Sequence, residues 1–278
     1  MKTPLTLGFS PCPNDTFMFY PLVHGLVDTG GISYDERLED VETLNRLAVK
    51  GVLDVSKVSY AALGYIREQY VLLRAGSALG RGCGPLLVAR EDIRPADLRG
   101  RTIAIPGRYT TAHLLLRLYD PCLTTFLEMP FNEIMDAVMT GKVDAGAIIH
   151  ESRFTYQGFG LRQLVDLGAW WEVETGLPVP LGGIVARRNL GAETIGLIES
   201  ALTSAVEYAR SNPDTAANYI REHAQEMSAE VCAAHIGLYV NDFSRELGDE
   251  GERAILELLR RAEAVGLIPH VKASLFAC

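Results

Sequence analysis

Leu7-Gly8-Phe9-Ser10-Pro11-Cys12-Pro13-Asn14-Asp15-Thr16 is an apolar run that stops at two prolines and gives way to Asn-Asp-Thr before a second apolar run. Asn, Asp and Thr are favoured helix N-caps, so the spacing predicts a short buried strand, a rigid loop and a helix whose N-terminus faces the strand end. Free N–H groups at such an end, with the helix dipole behind them, can hold an anion. The same residues also read as a stiff strand-to-helix turn with no ligand, because each proline removes a donor.

Outward from this stretch, the first half of the chain keeps alternating strand and helix patterns. Strands are expected at 5–10, 32–38, 53–58, 70–75 and 85–89, with helices at 41–50 and 60–68 between them. A second set follows, with strands at 102–105, 124–127 and 145–149 and helices at 110–119 and 132–140. That rhythm predicts an α/β protein with mainly parallel sheets and helices on both faces. From Glu193 onward the chain reads almost entirely as helix, with apolar residues at helical spacing over 201–209 and 253–265. Charged residues after Ala89 and the Pro/Gly run Leu177–Gly183 suggest lobe boundaries. The expected division is a larger discontinuous lobe, 1–89 plus 184–278, and a smaller inserted lobe, 90–183, with a cleft between them. Open α/β sheets bind ligands at such strand ends.

The 278 residues carry a formal net charge of −9, which disfavours nucleic acid as a partner but leaves a small anion possible in a local pocket. No stretch approaches the ~20 apolar residues that span a bilayer. The N-terminal residues lack a secretory apolar core, so a cytoplasmic location is expected. Five cysteines, at 12, 83, 122, 232 and 278, have neither CxxC spacing nor an even count, so neither a disulfide framework nor a zinc site is expected. No GxGxxG, Walker A, HExxH or GxSxG string occurs, and the glycine-rich run Gly76–Pro85 lacks P-loop spacing.

Three further segments carry chemistry. In Ile105-Pro106-Gly107-Arg108-Tyr109-Thr110-Thr111-Ala112, a strand runs into Pro-Gly and two threonines open a helix, which can hold a carboxylate or simply cap the helix. Lys57-Val58-Ser59 ends a strand; the plain reading is a capping serine and a solvated lysine. Ala145–Ile149 leads into His150-Glu151-Ser152-Arg153, which puts a histidine at a strand end facing the cleft, with Arg153 or Glu151 able to orient it or hold an anion. His24, His113, His223, His235 and His270 read as structural or surface residues.

These strings together resemble the 1,4-dihydroxy-6-naphthoate synthases of the futalosine route to menaquinone. The likeness rests on LGFSPCPNDTF from Leu7, LEDVETLNRLA from Leu38, SKVSYAAL from Ser56, LGRGCGPLLVAR from Leu79, PGRYTTAHLL from Pro106 and IIHESRFTY from Ile148. It continues through VDLGAWWEVETGLPVPLGG from Val165 and YVNDFS from Tyr239, while Pro21 departs from the pattern. The resemblance implies a two-lobed fold like that of type II periplasmic binding proteins, and conversion of cyclic dehypoxanthine futalosine to the naphthoate by a carbon–carbon lyase. It implies His150 as general base and substrate contacts at Lys57, Val58, Ser59, Thr111 and Ala112. Thr110, Asn14, Asp15 and Arg153 join the candidate substrate contacts, with a small carboxylate as substrate and no metal or cofactor. The alternatives are the chorismate dehydratase of the same pathway and a binding protein without turnover. The strings leave the oligomeric state open.

Overall fold

A computed structural model describes residues 3–91, 93–224 and 228–277; Cys278 lies outside the described residues. Strand β1 (Leu5–Phe9) is buried at its end and hands the chain to α1 (Pro13–Val23), which runs on through Pro21. Next come β2 (Tyr34–Leu38), α2 (Val41–Val49), β3 (Val55–Ser59) and α3 (Tyr60–Ile66). Asp40 caps α2 by accepting the Glu42 and Thr43 N–H groups. Then β4 (Tyr70–Leu72) and β5 (Ala78–Gly80) lead to β6 (Leu86–Ala89).

The middle of the chain supplies β7 (Ile103–Ile105), α4 (Thr111–Tyr119), β8 (Phe126–Glu128), α5 (Ile134–Met139) and β9 (Ala145–Ile148). After the short α6 (Ser152–Thr155) come β10 (Arg162–Asp166), α7 (Leu167–Thr175) and β11 (Val179–Arg187). The expected helical tail follows as α8 (Ala192–Ser211), α9 (Ala217–His223), α10 (Ala229–Tyr239), α11 (Asp242–Arg245) and α12 (Gly248–Ala264). The chain ends in irregular structure whose Phe276 bridges back to Leu72.

Two sheets organise these elements. One runs β2-β1-β3-β11-β4, with β5 also paired to β11; the other runs β10-β6-β9-β7-β8. The βα units produce the parallel pairs β1–β2, β1–β3, β7–β8 and β7–β9. Strands β11, β6 and β10 pair antiparallel with their neighbours, so each sheet is mixed instead of mainly parallel. The physical reason lies in the connections. A parallel pair needs a crossover helix on the same sheet, whereas β6 and β11 arrive from the other sheet. The expected boundaries shift accordingly. Leu86–Ala89 belongs to the second sheet, so the chain leaves the first sheet between Gly80 and Leu86. It returns at Val179, ahead of position 184.

Both sheets bury apolar faces under helices. Leu7, Phe9 and Ile184 of the first sheet pack with Phe19 of α1 and Leu202 of α8, and Phe9 stacks on Phe19 with ring centres 4.5 Å apart. Another core joins β6, β7 and β9 to α4, α7 and α12. There the fully buried Trp171 donates its indole N–H to the Pro178 carbonyl at 3.0 Å. At the first crossover the backbones touch: a Cβ built on Gly84 would lie 2.3 Å from the Gly168 Cα, so only glycine fits. Each strand of the parallel βα units therefore ends at one rim, and the two rims face each other across a cleft.

Candidate active site between the sheets

The opening motif forms one wall. Pro13 takes the first turn of α1, so Cys12 occupies the N-cap position without a side-chain cap bond. Asn14, Asp15 and Thr16 therefore lie inside the helix, not at its cap as expected, and Thr16 donates its hydroxyl to the Cys12 carbonyl at 3.0 Å. Asp15 is buried, and four donors hold its carboxylate. Ser10 donates its hydroxyl at 2.8 Å and its N–H at 3.2 Å, Asn14 donates its amide at 2.8 Å, and Lys57 donates Nζ at 3.0 Å.

Lys57 is only 5% exposed, against the solvated lysine that its sequence suggests. Strand β3 is the middle of its sheet and covered on both faces, so a side chain there cannot reach water. Its ammonium pairs with Asp15 and donates to the Gly76 carbonyl at 3.2 Å. The pair leaves the wall polar but without net charge. Ser59 accepts the Asn45 amide at 3.1 Å and donates its N–H to Asn45 at 2.8 Å, while Val58 gives the wall an apolar step.

Helix α4 forms the opposite wall. The Thr110 hydroxyl accepts the His113 N–H and donates to the Gly107 carbonyl at 2.7 Å, so it caps the helix. The Thr111 hydroxyl donates to the Leu181 carbonyl at 2.6 Å and accepts the Ala61 N–H at 3.3 Å. Both hydroxyls are thus engaged within the protein. The N–H groups of Thr111 and Ala112 open the helix and have no intrahelical acceptor. They, not the hydroxyls, are what α4 offers an anion.

His150 follows β9 with a φ of +55°, the left-handed region that non-glycine residues seldom enter. Its ring lies 5.1 Å from Phe131 and 6.0 Å from His235, nearly parallel to the latter. Burial pushes the His150 imidazole below its ordinary value, while the charges of Glu151 and Asp15 oppose that shift. The ring is therefore neutral and able to accept a proton near pH 7. Ser10, Asn14, Asp15, Lys57, Val58, Ser59, Thr110, Thr111, Ala112 and His150 all line one cavity, which polar groups enter from both sheets.

Arg153 is the candidate that the structure keeps out of this cavity. Its guanidinium donates to the Gly84 carbonyl and to Asp166, both at 2.6 Å. Asp166 in turn caps α7 by accepting the Gly168 and Ala169 N–H groups. Arg153 is thereby committed to bracing the sheet crossover and not to an anion.

One residue that lines the cavity, Tyr239, and one buried behind it, His235, have no local sequence signal that ties them to the site. His235 on α10 is fully buried; its Nε2 lies 2.9 Å from the Asn14 amide oxygen, which ties α10 to the Asp15–Lys57 pair. Tyr239, one helical turn on, lines the cavity, and burial raises its phenol so that it stays protonated. Nothing in the spacing links these positions to His150, although Tyr239 opens one of the strings that carry the resemblance. Among the described residues no group of three or more His, Cys, Asp or Glu could hold a metal, and no helix is long and apolar enough to cross a membrane.

The profile of a family described as menaquinone biosynthesis matches residues 5–264. A curated 1,4-dihydroxy-6-naphthoate synthase of Thermus thermophilus is 53% identical over 98% of both chains. One of Streptomyces coelicolor is 50% identical over 95% of both. A solved structure from Archaeoglobus fulgidus superposes with a TM-score of 0.90 at 37% identity, covering 95% of this chain and 98% of its own. The alkanesulfonate-binding protein of Xanthomonas axonopodis superposes at 0.69 with 14% identity, over 97% and 95% of the two chains. A Candida albicans protein described as having the generic periplasmic-binding-protein fold also gives 0.69 at 15% identity, over 98% and 92%. The two-lobed α/β fold is that of the periplasmic binding proteins.

Proposed function

Because the chain belongs to this menaquinone-biosynthesis family, we propose that it is a cytoplasmic carbon–carbon lyase that converts cyclic dehypoxanthine futalosine to 1,4-dihydroxy-6-naphthoate. The observation that carries the reading is the pairing of a neutral imidazole, His150, with the open N-terminus of α4 across one cavity.

The chemistry suits these groups. The substrate brings a carboxylate, a ketone and sugar-derived hydroxyls. A base takes a proton, the bond to a three-carbon fragment breaks, and a second aromatic ring forms. His150 accepts that proton. The Thr111 and Ala112 N–H groups, with the dipole of α4 behind them, hold the carboxylate or the oxygen on which charge grows. Ser59, Asn14 and the neutralised Asp15–Lys57 pair meet the hydroxyls without placing a net charge against them. Aromatisation supplies driving force.

Incubating the protein with cyclic dehypoxanthine futalosine should produce the naphthoate, followed by absorbance and mass. His150→Ala should lower turnover by roughly 10²–10⁴-fold, the usual worth of a general base, while product binding is largely kept. Wild-type turnover in that variant would remove His150 from the role. Turnover of chorismate in place of the futalosine would move the chain to the sister dehydratase.

A further inference from the structure

His150 separates two cavities. Besides the main cleft, it lines a small side chamber together with Cys12, Asp40, Phe131 and Glu151. Strand β9 ends at Ile148, and the left-handed turn at His150 brings both residue 150 and residue 151 to the chamber's lining. The Glu151 Oε2 is buried, and no donor among the described residues meets it. A buried carboxylate oxygen without a donor is costly, and such a group ordinarily has a task.

We propose that Glu151 is the positioning residue of His150: across the shared side chamber its carboxylate holds the imidazole basic and stabilises the imidazolium formed when the substrate's proton is taken. The inference rests on His150 being the base. Every charged or titratable group facing the ring has a place in it. Burial disfavours the imidazolium, and Glu151 is the strongest opposing influence. Asp15 on α1 and Asp40 at the start of α2 act in the same sense, and Lys57 on β3 acts against it. His235 on α10 stays neutral, and burial keeps Cys12 and Tyr239 protonated, so none of the three supplies a counter-charge. Asp15 already shares its charge with Lys57 and three other donors, whereas the Glu151 oxygen is uncommitted.

Glu151→Gln keeps the shape and removes the charge. The His150 imidazole, titrated by NMR in the ligand-free protein and identified by its disappearance in His150→Gln, should titrate about one pH unit lower in this variant. The acid limb of kcat/KM should move to lower pH by the same amount. At the plateau kcat should fall by roughly tenfold while KM changes by less than about twofold, because the weaker base acts only in the chemical step. Glu151→Asp, which restores the charge, should return the midpoint and the limb toward wild type. A structural lesion would not move the limb acidward. An unmoved His150 midpoint in Glu151→Gln overturns the proposal, while a full loss of turnover in His150→Gln would leave the base assignment standing. Wild-type turnover in His150→Gln overturns both.

Discussion

A histidine with no exposure has to fold neutral. His235 is such a residue: burial and the nearby His150 push its imidazole down to about 3. The unfolded chain takes up a proton on this ring near pH 6.5, and the folded chain does not. Stability contributed by the neutral ring is therefore present above about pH 6.5 and is lost as pH falls toward about 3, at a slope near 1.4 kcal/mol per pH unit. Glu42 acts in the opposite sense. Burial raises its carboxyl to about 7, so between its unfolded value and 7 the folded state holds a proton that the unfolded state has lost. The two slopes oppose each other around pH 5–6, and only a difference isolates one of them. The wild-type stability minus that of His235→Phe should fall by about 1.4 kcal/mol between pH 6 and pH 5, measured by denaturant midpoints. A pH-independent difference would mean that the ring is charged when folded.

At the scale of elements, the pair that joins α1 to β3 offers the clearest test. Lys57 and Asp15 are 3.0 Å apart with side chains 6% and 3% exposed. Removing one partner of a buried pair leaves the other uncompensated, so Lys57→Met should cost about 3 kcal/mol in denaturant unfolding. The double variant with Asp15→Asn should recover part of that loss, since no bare carboxylate remains. A single variant as stable as wild type would show that Ser10 and Asn14 alone suffice for Asp15. The elements themselves were largely legible in the sequence. The expected helix 41–50 appears as Val41–Val49, and the strand 102–105 as Ile103–Ile105. Their partners were less so. Periodicity reads which face of a strand is buried, but not whether its neighbour runs parallel, so the change of sheet before Leu86 went unseen. The strand β5 inside a glycine-rich run, and β10 with α7, carry no strong local pattern. The strand-end position of His150 and the helix start at Thr110 were legible because such features are local, whereas Ser59, expected to cap α3, makes no side-chain cap bond and pairs with Asn45 instead. His235 was not legible, because a contact across 85 residues leaves no mark in spacing.

Across the whole molecule, the cleft is spanned by polar bonds from α2. Glu42 accepts the Tyr109 N–H at 3.0 Å, and Arg46 donates to Glu42 at 3.0 Å and to Glu128 at 2.5 Å. Tyr109 and Glu128 belong to the second sheet's side and α2 to the first. These contacts tie α2 to the second sheet's side. Replacing Arg46 with Ala and Glu42 with Gln together should enlarge the radius of gyration in small-angle scattering, and saturating product should restore it. An unchanged radius in the double variant would mean that the Thr111 bonds to Leu181 and Ala61 hold the lobes by themselves. The order of strands also has a consequence for synthesis on the ribosome. The sheet built from β6 to β10 uses one contiguous stretch of chain, complete once Asp166 has emerged. The other sheet has β11 at its interior, between β3 and β4, and so waits for residues 179–187. The sheet whose strands open the chain is thus the sheet completed last, and a nascent chain stalled before Val179 lacks the strand that belongs between β3 and β4.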